Sequence, residues 1–491
     1  MFKPIAEPPY RRILKRLFSA SALVFSLVLA TLGRADDIEL PELGDASSGA
    51  VSPVQEKRLG QMWLAMFRNQ VSTDDDPLLT DYLEHLVYRL ATHSDLKEAP
   101  ANVVVVENKT LNAFAVPGGV VGIHNGLLLS AKHEDELASV IAHELAHLSQ
   151  RHFARGVEEA KRNSIPSMLA LLGSIVIAAT AGGDAGMAAI TGTQAAFQQQ
   201  SLRFSRAHEQ EADRLGMTTL VDAGYDAEGM PRMFERMLES TRYRRRPPEF
   251  LMSHPVTESR VSDARNRARE YPQQGMVDSN MFALMRTRVQ LHYEDSASSA
   301  IKTFQARLDE EAGAVPATRY GLVLALTRAN KFEEAQRQLD ELLRYTPQSI
   351  PLAIAGADID MGRGRPDLAA QKLERQLRIS PGNHPLTMTY ANALTRSGRY
   401  AEAEAVLMEH SRARPSDPAV WYELAEVHGL AGHILDVHRA RAEFFILIGA
   451  LDHAERQLGY GLNLAKGDFH TTVSIEARIA DIVALREEID I

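Results

Sequence analysis

The sequence predicts a mainly helical α+β chain, a mixed domain followed by an α-solenoid. Three observations predict it. Strand signals gather between Val103 and Ile123, apolar spacing of helical period takes over from Glu134, and a 34-residue period runs through the C-terminal part. At 491 residues the chain is too long for one compact core, and two or three domains are expected.

Residues 1–35 read as an export signal. Arg11, Arg12, Lys15 and Arg16 form a basic start, Leu17 to Leu32 is uncharged and apolar, and Gly33-Arg34-Ala35 supplies small residues for cleavage after Ala35. An uncleaved anchor is the alternative, but the stretch falls short of the roughly 18–20 residues that span a bilayer. Residues 36–55, rich in Gly, Ser, Pro and acids, read as an extended lead-in. The mixed domain is expected over 56–271, a linker helix over 272–300 and the repeats over 301–485.

Composition removes several functions. Net charge is −10 with no long basic stretch, so no nucleic-acid partner is expected, since such binding needs clustered Lys and Arg. The run Arg244-Arg245-Arg246 leads into Pro247-Pro248 and reads as a solvated loop. The chain has no cysteine, which excludes disulfides, thiolate metal sites and cysteine nucleophiles. Any metal must be held by nitrogen and oxygen.

In the mixed domain, Val103 to Val106 is a β-branched run, and Asn112 to Ile123 reads as strand, turn, strand around Pro117-Gly118-Gly119. A helix is expected from Glu134 to about Arg155, carried by Leu137, Val140, Ile141, Leu145 and Leu148. The apolar stretch Ile165 to Ala179 is too short for a span and reads as a buried helix, with peripheral membrane contact or partner contact as its alternative use.

The repeats declare themselves by register. Pro347, Pro381 and Pro415 lie 34 residues apart. Phe332, Pro366, Tyr400 and Ile434 correspond, as do Ala335, Ala369 and Ala403, and Leu339, Leu373 and Leu407. This is the tetratricopeptide pattern, with an aromatic opening the second helix in only two of four units. Alanine at the crossing points lets helix pairs that cannot bury their own apolar faces stack closely. Flanking helices extend the array from about Met281 to Leu485.

His143-Glu144-Leu145-Ala146-His147 carries the chemistry. Histidines four apart on a helix project from one face and can grip one zinc, while the carboxylate between them can accept a proton from water. A catalytic zinc needs a third protein ligand. Candidates lie in His208-Glu209-Gln210-Glu211-Ala212-Asp213, where Glu209 and Asp213 share a helical face and Glu211 points elsewhere. One of the first two can bind metal while the other orients a ligand histidine. Spacing alone does not choose among His208, Glu209 and Glu211.

The string Glu136 to His147, the Asn112 to Gly126 segment and Glu209-x-x-Ala212-Asp213 together resemble the HtpX and prenyl-protein protease family of zinc peptidases. The repeats and export signal resemble its periplasmic, Gram-negative branch. The resemblance implies a zincin-type endopeptidase with one zinc ion per chain, His143, His147 and Glu209 as ligands, Glu144 as general base and Asp213 as a supporting carboxylate. The family's later His-Pro motif ending in Arg is matched by His254-Pro255-Val256-Thr257-Glu258-Ser259-Arg260. His254 would then either steady the oxyanion or cap the open metal position at rest. The resemblance further implies quality control of outer-membrane proteins in the periplasm. Its partners would be unfolded or misassembled barrels, and the outer-membrane assembly machinery reached through the repeats. A chaperone or docking factor with a repressed protease site is the rival reading.

Two other histidines are expected outside the site. His152, five residues after His147, should face away from the metal, and His124 belongs to a strand, with approach to a substrate as its lesser alternative. The strand segment itself could hold an extended substrate by main-chain hydrogen bonds, with Gly118-Gly119 letting a peptide approach.

Overall fold

The computed structural model describes residues 52–100, 102–159, 206–242, 250–272, 279–310 and 316–489. The expected export signal, most of the lead-in, the Ile165 to Ala179 stretch and the Arg244 to Arg246 run lie outside them. The described residues are mainly helical with one small sheet, an α+β domain continued by helical repeats.

The first helix, α1 (Pro53–Gln70), starts three residues inside the segment expected to be extended. A capping box explains this: Ser52 Oγ accepts from Gln55 N at 3.3 Å, Gln55 Oε1 accepts from Ser52 N at 2.9 Å, and Pro53 opens the first turn. Helix α2 (Pro77–Ala91) follows, capped by Asp76. Then come β1 (Asn102–Val106), β2 (Ala113–Val116) and β3 (Val120–His124). The sheet order is β1-β3-β2, with β1 parallel to β3 and β2 antiparallel to it, so β2 forms an edge. Gly118 and Gly119, at φ 89° and 78°, make the tight turn between β2 and β3.

After the short α3 (Asn125–Ser130) comes α4 (Glu134–Ser149), buried at every residue from Glu134 to His147. It ends six residues before the expected limit because Arg151 turns left-handed at φ 50°. Helix α5 (His152–Glu159) restarts immediately. Helices α6 (Arg206–Asp222) and α7 (Gly229–Arg242) pack along α4, and β2 lies beside it. Acids in the first turn of α4 favour its positive end and are individually satisfied. Tyr82 donates to Glu134 at 2.7 Å, and Arg236 grips Glu136 at 2.7 and 3.2 Å. Helices α8 (Phe250–Ser253) and α9 (Glu258–Ala268) complete this part.

Helices α10 (Asn280–His292) and α11 (Ala297–Glu310) lead into the array. The first helices of successive pairs are α12 (Pro316–Arg328), α14 (Ile350–Gly362), α16 (His384–Arg396) and α18 (Pro418–Ala431). Their partners are α13 (Phe332–Leu343), α15 (Pro366–Ile379), α17 (Tyr400–Ala413) and α19 (Ile434–Leu447), and α20 (Leu451–Leu464) and α21 (Phe469–Ile489) close the chain. The residues that set the register in the sequence open the second helices, and Ala335, Ala369 and Ala403 are fully buried at the crossings. The turn within each pair holds a left-handed residue: Asn330, Gly364, Gly398 and Gly432, at φ 60°, 73°, 75° and 85°.

The array folds back onto the helices of the first domain. Arg414 of the α17–α18 loop forms a fork to Glu84 of α2 at 2.7 and 2.9 Å. Arg288 of α10 joins Asp76 at 2.6 Å and Tyr320 of α12 at 2.9 Å. Asn69 of α1 donates to the Gly449 carbonyl at 3.5 Å. One apolar core runs from Leu78 through the α4 face to the repeats. Among the described residues, no helix is long and apolar enough to cross a membrane.

Candidate metal centre

Helix α4 presents His143 and His147 one turn apart, with their Nε2 atoms 3.0 Å from each other. Helix α6 brings Glu209 to the same point, its carboxylate oxygens 3.6 Å from His143 Nε2 and 3.4 Å from His147 Nε2. The approach depends on Gly216: a Cβ there would stand 3.0 Å from the His143 backbone nitrogen. One turn after Glu209, Asp213 lies 3.0 Å from His143 Nδ1.

Arg260 of α9 fastens both acids. Its guanidinium donates to Asp213 through two bonds of 2.7 Å, pairs with Glu209 at 2.7 Å and donates to the Pro255 carbonyl at 2.9 Å. His254, directly after α8, stacks on Phe250 and meets Glu209 Oε1 through Nδ1 at 2.8 Å. Its Nε2 is 3.6 Å from Glu144 Oε1. Ligand atoms of His143, His147, Glu209 and His254 all fall within 4.8 Å of one another, and all four residues are buried.

The remaining predicted groups part company here. Glu209 enters the centre, whereas His208 and Glu211 do not. His208 stacks on His152 with ring centroids 4.4 Å apart, and Glu211 accepts from His152 Nε2 at 3.0 Å. His152, expected to face away, instead touches the site: its Nδ1 is 2.9 Å from His147 Nδ1. The left-handed Arg151 breaks the helical phase on which that expectation rested. His124 is fully buried on β3, its Nδ1 3.2 Å from Thr110 Oγ1. Gly118 is committed to packing rather than to a substrate, because a Cβ there would strike the Glu56 carbonyl of α1 at 2.5 Å.

Electrostatics separates the two α4 histidines. Burial would lower His143, but the hydrogen bonds and charges of Asp213 and Glu209 outweigh it and raise its pKa to about 9. Burial dominates at His147 and holds it well below the usual range, despite the bond to Glu209. Glu144 is pushed up by burial, opposed by the nearby His254 and His143. Asp213, though buried, is held low by His143 and Arg260.

These residues fit a divalent transition metal. Two imidazole nitrogens facing each other at 3.0 Å repel unless a proton or a cation lies between them, and an adjacent carboxylate completes a nitrogen–oxygen set suited to such an ion. Glu144 Oε1 is buried with no hydrogen-bond partner among the described residues, an acceptor facing the same space.

Comparison with known proteins agrees with this geometry. Residues 77–268 match the model of peptidase family M48, and residues 360–427 match a tetratricopeptide repeat model. The chain is 33% identical over 485 residues to the Beta-barrel assembly-enhancing protease of Escherichia coli O157:H7, covering 97% of this chain and 98% of that protein. It is 34% identical over 418 residues to the protein of the same name from Yersinia pestis, covering 84% and 85%. The Mitochondrial metalloendopeptidase OMA1 of Schizosaccharomyces pombe is 29% identical over 215 residues, 42% of this chain and 59% of that protein. A buried histidine–glutamate centre on these helices, continued by helical repeats in a chain alike from end to end, identifies a metallopeptidase of family M48 that belongs with the beta-barrel assembly-enhancing proteases.

Proposed function

We propose that this chain is a periplasmic zinc endopeptidase that degrades misassembled outer-membrane proteins and assists the assembly of others. The observation that carries the reading is the buried convergence of His143, His147, Glu209 and His254 in a chain so similar to the beta-barrel assembly-enhancing proteases. His143, His147 and Glu209 hold one zinc ion. When bound, the ion supplies Lewis acidity and lowers the pKa of water at its open position.

Glu144 is the general base. Burial raises its proton affinity, so it takes a proton from the attacking water and returns it to the leaving amine. The backbone of Ala115 on β2 bonds this carboxylate and fixes its direction. β2 is a sheet edge beside α4, so an extended peptide can add to it through main-chain bonds with its scissile carbonyl near Glu144. That mode suits unfolded segments of many sequences. Asp213 orients His143 through Nδ1, and the repeats hold substrates or the assembly machinery.

His254 supports a second reading, a resting state in which proteolysis is repressed and docking dominates. It already reaches Glu209 and stands over Glu144, which suits a cap on the open metal position.

The test is metal analysis of the purified mature chain together with cleavage of an unfolded protein, on the native chain and on Glu144→Gln. The variant is expected to keep one zinc per chain and to lose hydrolysis by at least about a hundredfold. Retained hydrolysis removes Glu144 as the base, and absence of metal from the native chain removes the enzymatic reading.

A further inference from the structure

From the layer behind the ligands we infer that His152 and Glu211 form a relay that fixes the tautomer of His147 and so sets the metal affinity of the centre. The inference rests on the proposed metal site and adds two positioning residues to it.

The two α4 histidines are supported unequally. His143 turns its Nδ1 directly to a carboxylate, that of Asp213 at 3.0 Å. His147 turns its Nδ1 to another imidazole, that of His152, at 2.9 Å. A neutral ring that gives the Nε2 lone pair to a metal carries its proton on Nδ1. The His147 Nδ1–H therefore donates, and the His152 Nδ1 must accept. Acceptance places the proton of neutral His152 on Nε2, which stands 3.0 Å from Glu211 Oε2 and donates to it. Arg155 holds the same oxygen at 3.2 Å. The two bonds from His147 through His152 to Glu211 thus point one way, toward a carboxylate to which Arg155 also donates, and reversing one proton breaks the other bond.

The structure keeps the His152 ring in place for this task. It is fully buried, stacks nearly parallel on His208 with 14° between planes, and follows a left-handed Arg151 tied to Glu56 at 2.6 and 3.2 Å. Such outer partners raise ligand basicity and orient the ring, and their loss typically costs about 10–100-fold in metal affinity.

Zinc affinity of the full mature chain, measured by competition with a chromophoric chelator, tests the relay through three substitutions. His152→Leu removes the acceptor and the link to Glu211, and a rise in the zinc dissociation constant of about 10–100-fold is expected. His152→Asn is smaller than histidine but places an amide oxygen where Nδ1 stood, so it should recover a large part of that loss. Glu211→Gln, on a partly exposed side chain, should weaken zinc by less, and should add nothing when combined with His152→Leu. Thermal melting of each metal-free variant checks that the fold survives. Should His152→Leu fail to fold, the asparagine and glutamine variants still decide the matter. Unchanged affinity in His152→Leu, or equal losses for leucine and asparagine, overturns the relay while leaving the metal site standing. A native chain that binds no zinc overturns both.

Discussion

Arg260→Met isolates what holds two buried acids together. Arg260 is 7% exposed, and its guanidinium serves Asp213 through two bonds of 2.7 Å and Glu209 through a contact of 2.7 Å. Methionine keeps most of the apolar stem and removes the charge. Glu209 and Asp213, 3% and 5% exposed, then lose the guanidinium they share and keep only His143 as a common counter-charge. Removing one partner of a buried ion pair costs about 3–5 kcal/mol, because the orphaned charge stays desolvated. For a core of 150–250 residues each kcal/mol lowers the melting temperature by about 2–4 °C, so the chelator-treated variant should melt about 6–20 °C below the native chain. A bound zinc would neutralise part of the same acid charge, so zinc should narrow the gap, and differential scanning calorimetry with and without metal reads both numbers. Melting of metal-free Arg260→Met within about 2 °C of native, or a gap that zinc does not narrow, refutes the clamp as an electrostatic device.

Two further outcomes follow from packing and from titration. Gly216→Ala sets a Cβ 3.0 Å from the His143 backbone nitrogen, and helix backbone yields little, so α6 must retreat by a few tenths of an ångström. The variant should fold but lose about tenfold in kcat/KM on an unfolded substrate, and undiminished activity would show that α4 and α6 need not approach so closely. In the repeats, burial lowers His384 to about 4, modified by Asp417, Arg414 and His410, and His410 is lowered as well. His384 Nδ1 lies 2.9 Å from His410 Nε2. Lowered histidines favour the neutral form in the fold, so their contribution is complete above the ordinary value of 6.5 and is lost as pH falls toward about 4. Up to roughly 3 kcal/mol of stability should disappear over that range, and melting of His384→Asn should depend less on pH than native melting does.

Much of the fold is legible because periodic residues report their own faces. Phe332, Pro366, Tyr400 and Ile434 mark second helices in the sequence and open them in the structure. A further signal stands in the same register: Asn330, Gly364, Gly398 and Gly432 supply the left-handed turn within each pair. The centre was legible in part. Spacing puts His143 and His147 on one face, yet it cannot say which neighbouring helix will meet them. Choosing Glu209 over His208 and Glu211 from the residues alone would have required knowing that α6 crosses α4 at Gly216. His152 was misplaced because helical phase was carried through Arg151, where the backbone leaves the helix. Gly118 was read as room for a substrate, but a helix far from it in sequence fills that room.

The bonds between the first helices and the last repeats have a temporal meaning. Arg68 reaches the Ser416 carbonyl across 348 positions, Glu84 reaches Arg414 across 330, and Asn69 reaches Gly449 across 380. Contacts so distant along the chain close late, since the intervening loop must first lose its entropy. Helices α1 and α2 pack first on the sheet and on α4, and their bonds to the repeats form only once the last third of the chain is present. The two ends of the described chain are therefore joined last, which makes the peptidase helices and the repeats one scaffold.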